Sequence, residues 1–293
     1  MKATATSRTA QYMALFRALE TTRSHKKRLF TDKYATSFLD NGLKAAVWLC
    51  MIPGWRSIAE SIIRKKIPGA LSSGIARTKY IDELLQQSVS NGAQQVLILG
   101  AGFDTRGLRL PFLKTVPVIE IDHPNTSRFK LAKLGSLKTQ AGIHYYQIDF
   151  NEQSLDQLGA LHHFDYSLQT AIIWEGVTNY LHKEAIDNTF TFLQQFAPGS
   201  AVIFTYVHEE VLENPAVFYG GEKLLQDVSE LEEKWTFGFN PAALKDYLQR
   251  YNFTLLEDLG AMEYRNKYMP ERTEKGYEFY RVAYARRNQA ARA

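Results

Sequence analysis

From Gln95 onward the chain repeats one pattern, a short and nearly continuous apolar run followed by a polar connection and a stretch of helical length. QVLILG (95–100), VPVIEID (116–122), IHYYQIDF (143–150), AIIWEG (171–176) and AVIFTYV (201–207) are rich in β-branched or aromatic residues, and a weaker FTLLEDL (253–259) follows. Strands apolar on both faces must be covered on both faces, the condition of parallel strands flanked by helices. HKEAIDNTFTFLQQF (182–196), closed by Pro198-Gly199, reads as one such covering helix. The alternation predicts an α/β fold with a doubly wound, mainly parallel sheet and right-handed crossovers. YRVAYAR (280–286) supplies a seventh strand. Residues 260–279 before it are polar, contain Pro270 and Gly276 and show no clear crossover helix, so the last strand is expected to return antiparallel.

The first 75 residues follow a different grammar. TAQYMALFRALETT (9–22) sets Tyr12, Leu15, Phe16 and Leu19 at helical spacing, SIAESIIRKK (57–66) reads as a second helix, and a third runs from about Ala76 to Val89. The chain thus divides into an N-terminal helical lid or cap, 1–75, and a ligand-binding domain, 76–293. A length of 293 residues with 45% apolar side chains suffices for a large core. The single cysteine, Cys50, excludes an internal disulfide and a Cys-rich zinc site, and points to a reducing, cytoplasmic setting. Leu43 to Trp55 is apolar but contains Lys44 and is broken at Pro53-Gly54, too short to span a bilayer, so no membrane partner is expected. A net charge of +4 is too small and too scattered to suggest nucleic acid.

The segment VLILGAGFDTRGLRL (96–110) carries the chemistry. A buried strand enters Gly100-Ala101-Gly102, where missing Cβ atoms permit a tight turn and close approach of a ligand. By itself this is also a plain strand-to-helix turn. Twenty-two positions after Gly100, the second strand ends in Asp122, suited to the two hydroxyls of an adenosine ribose. The third ends in Asp149-Phe150, suited to the adenine amino group and ring face. A dinucleotide fingerprint wants Gly or Ala where this chain has Thr105. Asp104 beside it would repel pyrophosphate but favour the cationic methionyl end of S-adenosyl-L-methionine. The charge sign selects the sulfonium cofactor over NAD; a small molecule is the expected methyl acceptor.

FTDKYATSF (30–38), ARTKYIDELL (76–85), LGAGFDTR (99–106), EIDHP (120–124), IDF (148–150), WEGVTNYL (174–181), FGFNP (237–241) and RVAYAR (281–286) occur in order across nearly the whole chain. In this combination the sequence resembles the leucine carboxyl methyltransferase family, including its bacterial S-adenosylmethionine-dependent and polyketide carboxyl O-methyltransferases. The resemblance implies a class I methyltransferase, Rossmann-like fold. It implies Arg77 on the cofactor carboxylate, Gly100 under the methionyl moiety, Asp122 on the ribose, Asp149 and Phe150 at the adenine, and Glu175 near the amino-acid end. The family's Asp-Pro-Tyr-Ala is here Asp32-Lys33-Tyr34-Ala35, which leaves the lid geometry open. Arg17 is a possible match for an early basic residue that touches cofactor in some relatives.

The expected reaction is in-line transfer of a methyl group to a carboxylate or hydroxyl oxygen. A carboxylate is already ionised at neutral pH, whereas a hydroxyl usually needs a base. His123 at the ribose corner and His182 at a helix start read as structural, and no spaced metal-ligand set is present, so the catalytic residue is unassigned. Asn179, Tyr180, Tyr206 and His208 are the candidate substrate contacts. A NAD-dependent oxidoreductase and a non-catalytic adenosine-binding protein are the competing readings.

Overall fold

The computed structural model describes residues 8–139, 142–148, 155, 163–231, 233–271 and 275–289. Seven strands form one sheet: β1 (Gln95–Leu99), β2 (Val118–Asp122), β3 (Ile143–Gln147), β4 (Thr170–Trp174), β5 (Ala201–Val207), β6 (Phe253–Gly260) and β7 (Tyr280–Arg287). Their order is β3-β2-β1-β4-β5-β7-β6. β1 to β5 pair in parallel, and β7 runs antiparallel to both β5 and β6. The doubly wound, mainly parallel sheet and its reversed last strand are as the sequence predicts.

Four helices precede the sheet: α1 (Arg8–Thr21), α2 (Asn41–Leu49), α3 (Trp55–Lys66) and α4 (Ala70–Ser90). Among the described residues seven follow: α5 (Arg106–Arg109), α6 (Pro124–Leu134), α7 (Lys183–Leu193), α8 (Glu210–Glu213), α9 (Gly221–Glu230), α10 (Pro241–Arg250) and α11 (Ala261–Tyr268). Two of them depart from expectation. α4 begins at Ala70 and runs through residue 75 unbroken, so the position read as a domain boundary lies inside a helix. α11 occupies the stretch read as lacking one. Only Ala261, Tyr264 and Arg265 of its eight residues are buried, too brief a signal for apolar periodicity to reveal.

The sheet separates two apolar layers, and alternate residues of a strand serve each. Val96 and Ile98 join Leu15, Ile75, Leu84 and Tyr264 on the side of α1, α4 and α11. Leu97 and Leu99 join Phe190, Phe196, Leu244 and Leu248 on the side of α7 and α10. Cys50 is buried within the first layer. Strand order reverses between β1, which connects onward to β2 on one side, and β4 on its other side. A crevice opens beyond the carboxyl ends of strands at such a switch point. The register pairs Ile98 with Ile173, which carries Gly100 and Glu175 to matching positions past the two strand ends.

Candidate active site

The turn after β1 has Gly100 at φ +66° and Gly102 at φ +49°. A Cβ on Gly100 would lie 2.4 Å from Val177 Cγ2, so this glycine is required both by conformation and by packing. The turn then meets the tip of β2. Gly102 N–H donates to Asp122 Oδ2, and His123 N–H donates to Asp122 Oδ1 at 2.7 Å. Burial pushes the Asp122 carboxyl up, against the pull of these two donors. His123 Nδ1 accepts from Asn125 N–H and caps α6, the structural role expected of it.

Around Glu175 three arginines and three carboxylates interlock. Glu175 Oε1 accepts from Arg77 Nε at 3.0 Å and Oε2 from Arg106 Nη2 at 2.9 Å. Arg106 also donates Nε to Asp82 Oδ1 at 2.8 Å and Nη1 to Asp104, while Arg109 holds both Asp82 oxygens at 2.7 Å. Buried guanidinium forks bonded to carboxylates at such distances are the stronger class of hydrogen bond. Burial raises the Glu175 carboxyl, but Arg106 and Arg77 outweigh it and hold it below the usual range. For Asp104 the opposition of burial by Arg106 and Lys130 ends at about 2. Its charge is thus met by Arg106 within the protein. Arg77 has a remaining donor, Nη2, whose partner among the described residues is the Met13 thioether at 3.3 Å, and its guanidinium lies 4.4 Å over the Tyr280 ring.

α1 closes over this constellation. Arg17 Nη2 donates to Phe103 O at 2.6 Å and its Nε to Asp32 Oδ2 at 2.8 Å, while Thr105 Oγ1 donates to the same Asp32 oxygen at 2.7 Å. Arg17 therefore binds the glycine turn to α1 and to the segment at Asp32. Asp32 also accepts the N–H groups of Tyr34 and Ala35, and Lys33 is exposed, so a lysine is accommodated in place of the family's proline. Arg8 N–H and the Thr9 hydroxyl donate to Glu233 at the other end of α1.

The structure brings Arg77, Gly100, Gly102, Asp104, Asp122 and Glu175 to the switch point. Asp149 and Phe150 lie outside the described residues. Of the substrate candidates, Asn179 is 1% exposed, and neither its amide nitrogen nor its amide oxygen has a partner among the described residues. Tyr180 follows it, its phenol pushed by burial up to about 12 against the pull of Thr9 in α1. Tyr206 is placed elsewhere: its hydroxyl donates to Asp258 at 2.7 Å and accepts from Arg281, inside the β5–β7–β6 layer. His208 Nδ1 accepts from Glu210 N–H at 3.2 Å and its ring packs on Phe218. The sequence reading gave no role to Arg106, Asp82, Arg109, Met13 or Tyr280. Arg106 closes the LGAGFDTR motif and was legible as a residue but not as a hub.

The donors fit the group they are expected to hold. Arg77 has guanidinium capacity spent on a weak thioether acceptor, Asp122 is fixed by main-chain donors at the strand tip, and the turn after β1 takes the positive φ angles that glycine permits. Together with the sheet order, they define a class I S-adenosyl-L-methionine-dependent methyltransferase. The sequence model of the leucine carboxyl methyltransferase family matches residues 10–194, and the chain belongs to that family. A protein of Streptomyces coelicolor, provisionally named an S-adenosyl-L-methionine-dependent methyltransferase, is 31% identical over 70% of this chain and 70% of its own. One of Mycobacterium marinum with the same provisional name is 27% identical over 82% of this chain and 80% of its own. The crystal structure of a provisionally assigned methyltransferase from Thermobifida fusca superposes with a TM-score of 0.60, covering 92% of this chain and 97% of that one at 18% identity, a likeness of fold alone.

Among the described residues no group of three or more His, Cys, Asp and Glu is arranged to hold a metal, and no helix is long and apolar enough to cross a membrane.

Proposed function

We propose that this methyltransferase acts on oxygen, and that its acceptor is the carboxylate of a small organic acid. The observation that carries this reading is the pair Asn179-Tyr180, which follows Glu175 closely along the chain. Both side chains are neutral at physiological pH, Asn179 by nature and Tyr180 as any phenol is, with burial pushing its pKa further up to about 12. Groups of this kind hold a nucleophile by hydrogen bonds without removing its proton. They suit an acceptor that arrives ionised, as a carboxylate does. The Asn179 amide, buried with both heteroatoms unpartnered among the described residues, has an N–H free to donate to an acceptor oxygen.

Arg77 would hold the cofactor carboxylate, Asp122 the ribose hydroxyls, and the Gly100 turn would admit the backbone-facing edge of the ligand. Asp149 and Phe150 are proposed for the adenine on the strength of the family resemblance. When bound, S-adenosyl-L-methionine supplies a methyl group made electrophilic by its sulfonium. The protein's own task is alignment and exclusion of water, for which α1 packs across the site and the ion network fixes the strand tips.

The test is incubation of the full chain with methyl-labelled cofactor and paired sets of carboxylic acids and alcohols. A product that releases labelled methanol in mild alkali is a carboxyl ester and supports the proposal. An alkali-stable labelled product, an ether or an N-methyl compound, refutes it.

A further inference from the structure

α3 carries one broad apolar arc, of which the inner edge meets the core and the outer edge meets solvent. Ala59 and Ile63 pack inward on the core, yet no residue of the helix is fully buried. Trp55, Ile58 and Ile62 lie along its outer side at helical spacing, each about half exposed. The end of α2 and the turn after it extend the patch with Trp48, 73% exposed, Met51, 68% exposed, and Ile52. These six large apolar side chains, exposed within fifteen residues of chain, call for a partner. Its border is cationic. Lys44, Arg64, Lys65 and Lys66 make no ion pair among the described residues, and the one acid in the segment, Glu60, is taken by Arg23 at 2.6 Å. Cations in the last turn of α3 suit its dipole, but the dipole gives no reason for the exposed tryptophans beside them.

We infer that α2 and α3 form a docking surface for an anionic lipid bilayer, lying in the interface plane with Trp48 and Trp55 at headgroup depth and the α3 cations on lipid phosphates. Spanning and lying on a membrane have different requirements. The segment is far too short and interrupted to span, from which the sequence suggests no membrane partner, but a surface helix needs only an apolar side, aromatic anchors and flanking cations. A second copy of the chain fits less well. A closed two-fold pairing would set the patch against itself and bring the unpaired cations of both copies together, whereas an anionic surface answers the apolar and the charged features at once. The surface is joined to the lid. Arg56 Nη1 donates to Leu19 O at 3.1 Å, and the Arg23–Glu60 pair ties the end of α1 to α3.

The experiment is flotation of the full chain with phosphatidylcholine vesicles and with vesicles that also contain phosphatidylserine, at low and high salt. The protein is expected to float with the serine-containing vesicles and to be released by salt. Replacing Arg64, Lys65 and Lys66 together by alanine is expected to lower partitioning about a hundredfold, and Trp48→Ser with Trp55→Ser to abolish it. Unchanged S-adenosylhomocysteine affinity shows that the variants are folded. Absence of flotation with anionic vesicles, or flotation indifferent to the three cations, overturns the inference. So does a stable dimer in sedimentation that Trp55→Ser dissociates, since a second copy would then be the occupant.

Discussion

Arg77 and Glu175, ninety-eight residues apart, meet through a single 3.0 Å hydrogen bond from Nε to Oε1, and Glu175 holds a second guanidinium on its other oxygen. This asymmetry separates binding from folding. If Arg77 is removed, Glu175 is still paired with Arg106, so no carboxylate is left alone. Arg77→Ala is therefore expected to weaken S-adenosylhomocysteine binding by about 1.5–3 kcal/mol, the value of a hydrogen bond to a charged group, while the urea midpoint moves little. Calorimetry and urea unfolding read the two quantities separately. Asp122→Ala is expected to weaken cofactor binding as well, with some loss of stability because the Gly102 and His123 N–H groups lose their acceptor, and full affinity in both variants would remove the assigned pocket.

Arg106 is the opposite case. Asp82, Asp104 and Glu175 all depend on it, and only Asp82 and Glu175 have another guanidinium. Arg106→Met leaves the Asp104 carboxylate buried without an arginine. Breaking a buried pair in this way costs about 3–5 kcal/mol. Urea unfolding is expected to show a loss of that size, and a variant as stable as the parent would mean that the network is not structural.

The turn after β1 permits a test of packing. Gly100→Ala adds a methyl at φ +66°, where a left-handed conformation disfavours any side chain by about 1–2 kcal/mol, and places it 2.4 Å from Val177 Cγ2. Overpacking adds about 1–3 kcal/mol. Gly100→Ala combined with Val177→Ala should recover the packing part and leave the conformational part. A double variant no better than the single one would show that the turn, not Val177, sets the constraint.

Asp104 gives a pH dependence with a definite sign. Its carboxyl is held at about 2 in the folded chain, against an ordinary 3.8. A depressed pKa stabilises the folded state above the ordinary value, and that stabilisation is lost as pH falls toward the folded value. The contribution is on the order of 2 kcal/mol. Between pH 4 and pH 2 the wild type is expected to lose more stability than Asp104→Asn, which lacks this titration. Parallel urea midpoints for both proteins across that interval would refute the assignment.

The fold was legible because its strands declare themselves. β1, β4 and β5 are buried at every position, so their sequences are nearly continuous apolar runs. The reversed β7 was expected from a connection with no readable crossover helix, an outcome that holds although α11 lies there. α11 was missed because two turns with three buried residues leave no readable periodicity. The site was legible where one residue type serves one purpose, as with Gly100 and Asp122. It was not legible where function lies in pairing. Nothing in the sequence distinguishes Arg106, bonded to three acids, from Arg109, bonded to one, because their partners are brought together only by the fold. Tyr206 erred in the other direction: an aromatic near a strand end looks available to a ligand, but its hydroxyl is taken by Asp258.

Asn179 brings stability and activity into opposition. A buried amide without partners costs about 1–3 kcal/mol relative to a satisfied one, and a fold has no structural reason to retain it. Asn179→Leu removes both unpartnered heteroatoms at similar volume, so the urea midpoint is expected to rise. If the amide is kept to hold the methyl acceptor, the same substitution should lower kcat/KM for methyl transfer by about tenfold or more while cofactor affinity stays constant. A gain in stability with activity unchanged would assign the amide no part in the reaction. A loss of both would show that Asn179 has a structural partner in solution, and the proposed acceptor contact would have to be placed on another residue.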